Sequence, residues 1–192
     1  MEEICWLVAF MEETEKLKAV TRTNKTIDGR FENSAEHSWQ AALMAPLLQD
    51  YFPEQLSMEK VLSLLLVHDL GEIYAGDTSV FDEAGKAVSH EQEQLSLQRS
   101  LSLLPLLQAE KLAALWQEFE TGTSPEARYA RVIDALIPLI NHGLIAKENE
   151  NPQRLTAEQV LRKKAFIKEA APPLWQLVEK LVAEGVAKGI YL

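Results

Sequence analysis

The chain has a single cysteine, Cys5. No disulfide can close within it, a usage that fits a reducing compartment. Cys5 stands among Ile4, Trp6 and Leu7, and these apolar neighbours predict a buried thiol. Long apolar runs are also missing. The longest lie around 41–48 and 61–67, whereas a membrane helix needs about 20 apolar residues. The first residues, Met-Glu-Glu, lack the basic region and cleavage site of a secretory signal. Together these absences predict a cytoplasmic protein with no membrane partner. Glycine and proline number eight each, which leaves little room for disorder. Positive charge is in deficit: 19 Lys and Arg face 29 Asp and Glu, a net charge of −10. Such a surface repels a nucleic-acid polymer. A small anionic substrate then requires local positive charge or a bound cation.

What remains is strongly helical. At 192 residues with 47% hydrophobic and 25% charged residues, the composition is that of an ordinary globular chain large enough to bury a core. Apolar residues recur at three- and four-residue spacing, predicting helices near 2–18, 34–52, 57–74, 89–104, 108–121, 124–149 and 156–186. Ser124-Pro125-Glu126 is a strong start signal, with a cap residue, proline in the first turn and an acid for the helix dipole. Pro172-Pro173 should break the last helix. Two stretches resist the helical reading, Thr21–Asn33 and Ala75–Val88. Loops of that length inside a helical domain are often functional. No segment reads as a strand and no linker is visible, so the expected architecture is all-α, a single domain over 1–192.

The chemistry concentrates at Val67-His68-Asp69-Leu70-Gly71-Glu72, which follows an apolar run. With helical spacing, Glu72 falls on the same face as His68 and Asp69. An imidazole and a carboxylate could share one cation with a second acid beside it, a donor set suited to Co, Mn, Mg, Fe, Ni or Zn and not to a thiolate-seeking metal. One helix cannot surround a metal. His37, near the start of the second helix, and Asp134, within an apolar run of the sixth, are the further candidates. A buried carboxylate without a partner costs several kcal/mol, of order 2–7, so Asp134 requires one: a cation, or an arginine such as Arg128 or Arg131. His90 sits in a polar segment and reads as exposed. His142, eight residues after Asp134, reads as structural or pocket-lining. Trp39 reads as core packing at a helix seam. The stretch 16–30 carries Lys16, Lys18, Arg22, Lys25 and Arg30, a basic concentration able to recruit phosphate, though Arg30 could instead support the cap of the second helix.

The order His37, His68-Asp69, Asp134 over three helices resembles the H…HD…D signature of the HD-domain superfamily of metal-dependent phosphohydrolases. Four blocks sharpen the likeness to the small HD-domain 5′-deoxynucleotidase group: Asn33-Ser34-Ala35-Glu36-His37-Ser38-Trp39, His68-Asp69-Leu70-Gly71-Glu72, Gly76-Asp77-Thr78 and Ser124-Pro125-Glu126-Ala127-Arg128. The match runs from about Leu17 to about Asn141, with the C-terminal helices, 156–192, packing on it. The resemblance implies an HD-type helical bundle, one divalent cation held by His37, His68, Asp69 and Asp134, and a homodimer. It implies that Glu72 and Asp77 act in turnover and that Arg22, with Thr78, contacts the substrate phosphate; Lys18 and Arg30 are further basic candidates. The implied reaction removes phosphate from nucleoside 5′-monophosphates by attack of a metal-activated water. Rival readings are an HD phosphohydrolase acting on another phosphate ester, a dNTP or an alarmone, and a non-catalytic metal- or nucleotide-binding helical protein. Many relatives carry an aromatic residue, usually Trp, just after the substrate arginine or one position further on, where this chain has Thr23 and Asn24. That departure leaves the preference between deoxyribose and ribose open.

Overall fold

In the computed structural model, which describes residues 2–192, the periodic segments resolve into ten α-helices. They are α1 (Glu2–Thr14), α2 (Ser34–Leu48), α3 (Met58–Val67), α4 (Glu72–Ala75), α5 (Glu83–Leu101), α6 (Leu106–Thr121), α7 (Pro125–Ile145), α8 (Ala157–Lys164), α9 (Phe166–Ala170) and α10 (Pro172–Ala187). The class is all-α, as expected.

Local chemistry sets the helix starts. Asn33 caps α2: its side chain accepts from the Glu36 amide at 3.0 Å, and the Glu36 carboxylate accepts from the Asn33 amide at 3.1 Å. Arg30 locks that carboxylate with a 2.8 Å bond. The Ser124 hydroxyl caps α7 by accepting from Ala127 N. Pro172 and Pro173 open α10 and so end the preceding helix, as the sequence requires.

Four expectations are corrected. The stretch 21–33 is a hairpin of β1 (Thr21–Lys25) and β2 (Phe31–Asn33), antiparallel. Its turn relies on Gly29, whose φ of +88° a residue with a side chain rarely adopts. Thr21 pairs with Asn33 and Lys25 with Phe31, so the register shifts within β1 around 22–24. The predicted helix 57–74 breaks after Val67 into a 3₁₀ turn, His68–Gly71, before α4. Gly71 allows α5 to pack hard against this turn, since a Cβ there would lie 2.9 Å from the Glu93 carbonyl oxygen. Helix α5 begins at Glu83, earlier than expected, because Asp82 caps it by accepting from Gly85 N at 3.0 Å. Cys5 and Trp39, both expected inside, are exposed. Their helices are apolar on more than one face, and burial goes to the face that meets the core.

Two apolar clusters divide the interior. One joins α2, α3 and α7 to α8–α10, with Val61, Leu64, Val132, Ile133 and Leu136 fully buried. The other holds Leu17, Val67, Leu70, Leu97 and Trp116. The chain passes from the first to the second between Leu65 and Val67, immediately before His68-Asp69. The polar pair therefore sits at the seam between two packed regions.

Candidate metal centre and substrate cavity

At that seam α2 and the 3₁₀ turn bring three donor side chains together, and α7 adds a fourth. One ligand atom each of His37, His68 and Asp69 lies within 4.8 Å of the others, all three buried. Asp134 joins them: its Oδ1 is 2.9 Å from His37 Nε2 and 3.5 Å from His68 Nε2. The His68 ring is oriented from behind, with Nδ1 2.8 Å from the Leu65 carbonyl and the ring packed on Phe119. Nδ1 must carry the proton in that bond, so Nε2 is the nitrogen that faces the carboxylates and would ligate a cation once its own proton leaves. His68 Nε2 has no hydrogen-bond partner despite lying 3.1 Å from Asp69 Oδ1. A buried, oriented nitrogen without a partner, facing two carboxylates, fits a divalent cation. Neither Arg128 nor Arg131 competes for Asp134: Arg128 bonds Glu54 at 2.6 Å, and Arg131 bonds the Glu120 carbonyl at 3.2 Å.

Around this cluster lies a cavity of about 480 Å³. Its wall includes Arg22, Thr23 and Asn24 from the irregular part of β1, then Glu72, Asp77 and Thr78. Arg22 and Asn24 alternate with the exposed Thr21, Thr23 and Lys25, so one face of the strand carries both toward the wall. Asn24 Nδ2 also donates to the Pro138 carbonyl at 2.9 Å, tying the hairpin to α7. Gly76, with φ +80° and ψ 161°, ends α4 in a conformation open mainly to glycine and turns the chain into Asp77 and Thr78.

The electrostatics are those of an acidic site around one arginine. Arg22 lies 3.3 Å from Asp69, 3.5 Å from Asp77, 3.6 Å from Glu32 and 4.0 Å from Glu72. Burial opposes its charge, but these carboxylates outweigh burial and hold the guanidinium protonated. Burial, reinforced by Asp69 and Asp77, pushes the Glu72 carboxyl up to about 9 against the pull of Arg22 and Ser34. The Ser34 hydroxyl donates to Glu72 Oε2 at 2.6 Å. Burial opposes charge on His68 as well, yet Asp69 and Asp134 raise it to about 9. Burial would raise Asp134, but His37 and His68 hold it well below the usual carboxylate range. Without a metal, protons on Glu72 and His68 balance the excess acid. A divalent cation would replace them.

Of the basic residues in 16–30, Arg22 alone lines the cavity among the described residues. Lys18 is exposed and paired with Glu15 at 2.5 Å, Lys25 with Glu150 at 2.6 Å, and Arg30 with Glu36. His90 is exposed and bonds Glu120. His142 lines the cavity and stacks on Tyr191. Sequence reasoning missed three participants: Glu32, buried beside Arg22; Ser34, bonded to Glu72; and Lys164, buried in the cavity wall. A strand signal over 31–33 would have pointed to Glu32. Nothing local marks the other two.

Known proteins resemble this chain over most of its length. The chain is 29% identical over 180 residues to human 5′-deoxynucleotidase HDDC2, covering 93% of this chain and 85% of the human protein. It is 30% identical over 151 residues to the Danio rerio protein of the same name, covering 78% and 74%. The crystal structure of a predicted metal-dependent phosphohydrolase from Magnetospirillum magnetotacticum MS-1 superposes with a TM-score of 0.90 at 35% identity, covering 98% of this chain and 95% of that one. An HD-domain phosphohydrolase from Listeria innocua, at 19% identity and a TM-score of 0.70, shares the fold. The HD domain family model matches residues 14–175, most of the chain and all four candidate ligands. With its His68-Asp69 pair at the centre of that match, the chain belongs to the HD domain family.

Proposed function

We propose that this protein is a divalent-metal-dependent 5′-(deoxy)nucleotidase that removes phosphate from nucleoside 5′-monophosphates. The observation that carries the reading is one cavity lined by His68, Asp69 and Asp134, backed by the buried His37, together with Arg22 and two further acids. The curated relatives carry the name 5′-deoxynucleotidase.

When bound, a divalent cation supplies a water of lowered pKa and polarises a phosphoryl oxygen. His37, His68, Asp69 and Asp134 would hold it. Arg22 binds the phosphate, and its planar fork matches two phosphoryl oxygens. Asp77, 3.5 Å from Arg22, and Glu32, 3.6 Å away, orient that fork. Glu72, buried beside the metal ligands and held by the Ser34 hydroxyl, is placed to move a proton at the reacting centre. Thr78 lines the same wall and adds a hydroxyl toward the phosphate. The donor set of two imidazoles and two carboxylates suits Co, Mn, Mg, Fe, Ni or Zn.

The test is phosphate release from all 5′-dNMPs, NMPs and dNTPs with Co²⁺, Mn²⁺ and Mg²⁺. Turnover of monophosphates supports the reading, and turnover of triphosphates alone overturns it. Glu72→Ala should abolish turnover while the metal stays bound. The ratio of dNMP to NMP turnover reads the sugar preference that Thr23 and Asn24 leave open.

Two further elements complete the reading. Trp39, Leu43 and Leu47 form an exposed apolar stripe at four-residue spacing on α2, suited to a homodimer interface. Light scattering should give twice the chain mass, and Trp39→Glu should halve it. No helix among the described residues is long and apolar enough to cross a membrane. The single-cysteine, acidic chain fits the cytoplasm.

A further inference from the structure

The C-terminal helices supply more than packing. Lys164, the last residue of α8, is 7% exposed and lines the same cavity as Arg22, Asp69 and Asp134. Its Nζ donates to the Ala135 carbonyl at 2.5 Å, one residue after Asp134. That carbonyl belongs to the turn of α7 loosened by Pro138, which has no N–H to offer the carbonyl of Asp134. The bond therefore anchors the ammonium at the edge of the metal centre.

Lys164 differs from the other cations of the wall. Arg22 is surrounded by carboxylates. Lys163 is paired with Glu83 at 2.6 Å and Lys86 with Glu93 at 3.7 Å. Arg131 rests on the Glu120 carbonyl and the Phe166 ring. Among the described residues no carboxylate lies within 4.0 Å of Lys164, and the backbone bond uses one of its three donors. Burial pulls its pKa down to about 8, with Asp134 attracting and Arg22 opposing the charge, so the group remains largely cationic at neutral pH. A buried ammonium without an adjacent counter-ion is costly, and a bound anion beside Lys164 would offset that cost.

We propose that Lys164 is a second phosphate-binding cation of the active site, donating to a non-bridging oxygen of the substrate's phosphoryl group alongside Arg22. The proposal rests on the nucleotidase reading for the identity of the substrate. Its own content is that an anionic phosphate lies against α8, within reach of both cations.

The test is calorimetric titration of inorganic phosphate into the manganese-loaded full chain and its Lys164→Gln variant. Glutamine keeps a donor for the Ala135 carbonyl and removes the charge. The expected result is at least a fivefold loss of phosphate affinity, with manganese content and melting temperature unchanged. A smaller loss overturns the proposal, as does a loss accompanied by release of manganese, which would mean that Lys164 acts through the metal ligands. If the variant does not fold, reductive methylation of the unaltered chain decides the matter. Phosphate should protect Lys164, read by peptide mass, and equal or absent labelling with and without phosphate overturns the proposal. Phosphate binding is read without turnover. A chain that hydrolyses no monophosphate yet shows the loss sinks the nucleotidase reading and leaves Lys164 as a phosphate ligand.

Discussion

His37 Nε2 lies 2.9 Å from Asp134 Oδ1, although 97 positions separate the two residues in the chain. The contact draws α2 and α7 together at the metal centre. The Asp134 side chain is 30% exposed while His37 is fully buried, so the carboxylate opens to the cavity and the imidazole closes the floor. Asp134→Asn keeps the shape and removes the charge. Loss of a supporting contact to a metal ligand typically costs about 10–100-fold in affinity, and loss of a ligand should reach at least the upper end. Metal content after dialysis and calorimetric titration with Mn²⁺ check this, and unchanged affinity would remove Asp134 from the ligand set.

Ser34 and Glu72 make the next prediction. The serine hydroxyl holds Glu72 Oε2 from another helix, at 2.6 Å. Ser34→Ala should cost about 0.5–1.5 kcal/mol of stability, the usual worth of such a bond. It should lower kcat about tenfold, a part of the roughly 10²–10⁴-fold that a positioned proton-transfer group contributes, while leaving KM nearly unchanged. A variant that raised KM with kcat intact would place Ser34 in substrate binding instead.

Glu72 also predicts a pH dependence for the metal-free protein. Its folded pKa is raised to about 9 from an ordinary value of 4.5. The folded state then binds the proton more tightly than the unfolded chain does. The resulting stabilisation is fully present below the unfolded pKa, declines as pH rises, and is gone above about 9. Denaturation of the chelator-treated chain between pH 5 and 9, a window set by about those two values, should show this decline. Glu72→Gln, which resembles the protonated form, should flatten it. An identical slope in both proteins would show that another group is responsible.

Gly71 carries a purely steric prediction. Its backbone is ordinary, with φ −63°, yet a Cβ would meet the Glu93 carbonyl oxygen at 2.9 Å. The nearest atom is backbone, so α5 must move. Gly71→Ala should destabilise by about 1–3 kcal/mol, as overpacking does, and shift the 3₁₀ turn that carries His68 and Asp69. Thermal unfolding and metal affinity should both fall.

The particular residues show what a sequence reveals and what it hides. His68-Asp69 and Asp134 stand out because polar groups interrupt apolar runs, a contrast visible without coordinates. The helices were legible by the same periodicity. The 3₁₀ step was not, because it arises where α5 presses against Gly71 from 22 residues away, the spacing at which Ser96 also bonds Tyr74 N. Ser34 and Lys164 were hidden for a similar reason: each acts on a residue of another helix, 38 and 29 positions away. Cys5 and Trp39 were misjudged because apolar content does not say which face of a helix meets the core. The hairpin was missed because its strands are short and polar, with Arg22 and Asn24 alternating among threonines and lysine in β1 and Glu32 between Phe31 and Asn33 in β2.

That hairpin has a practical consequence for protein engineering. Arg22 is held at the base of β1, where Asn24 is fastened to α7, while Ile27 at the tip is 97% exposed. Position and tip are thus mechanically separate. The Thr26–Arg30 turn is a natural place to insert a reporter or an affinity tag, because lengthening an exposed tip costs little in chain entropy, about 0.6 kcal/mol per doubling, and leaves the anchored guanidinium where it is.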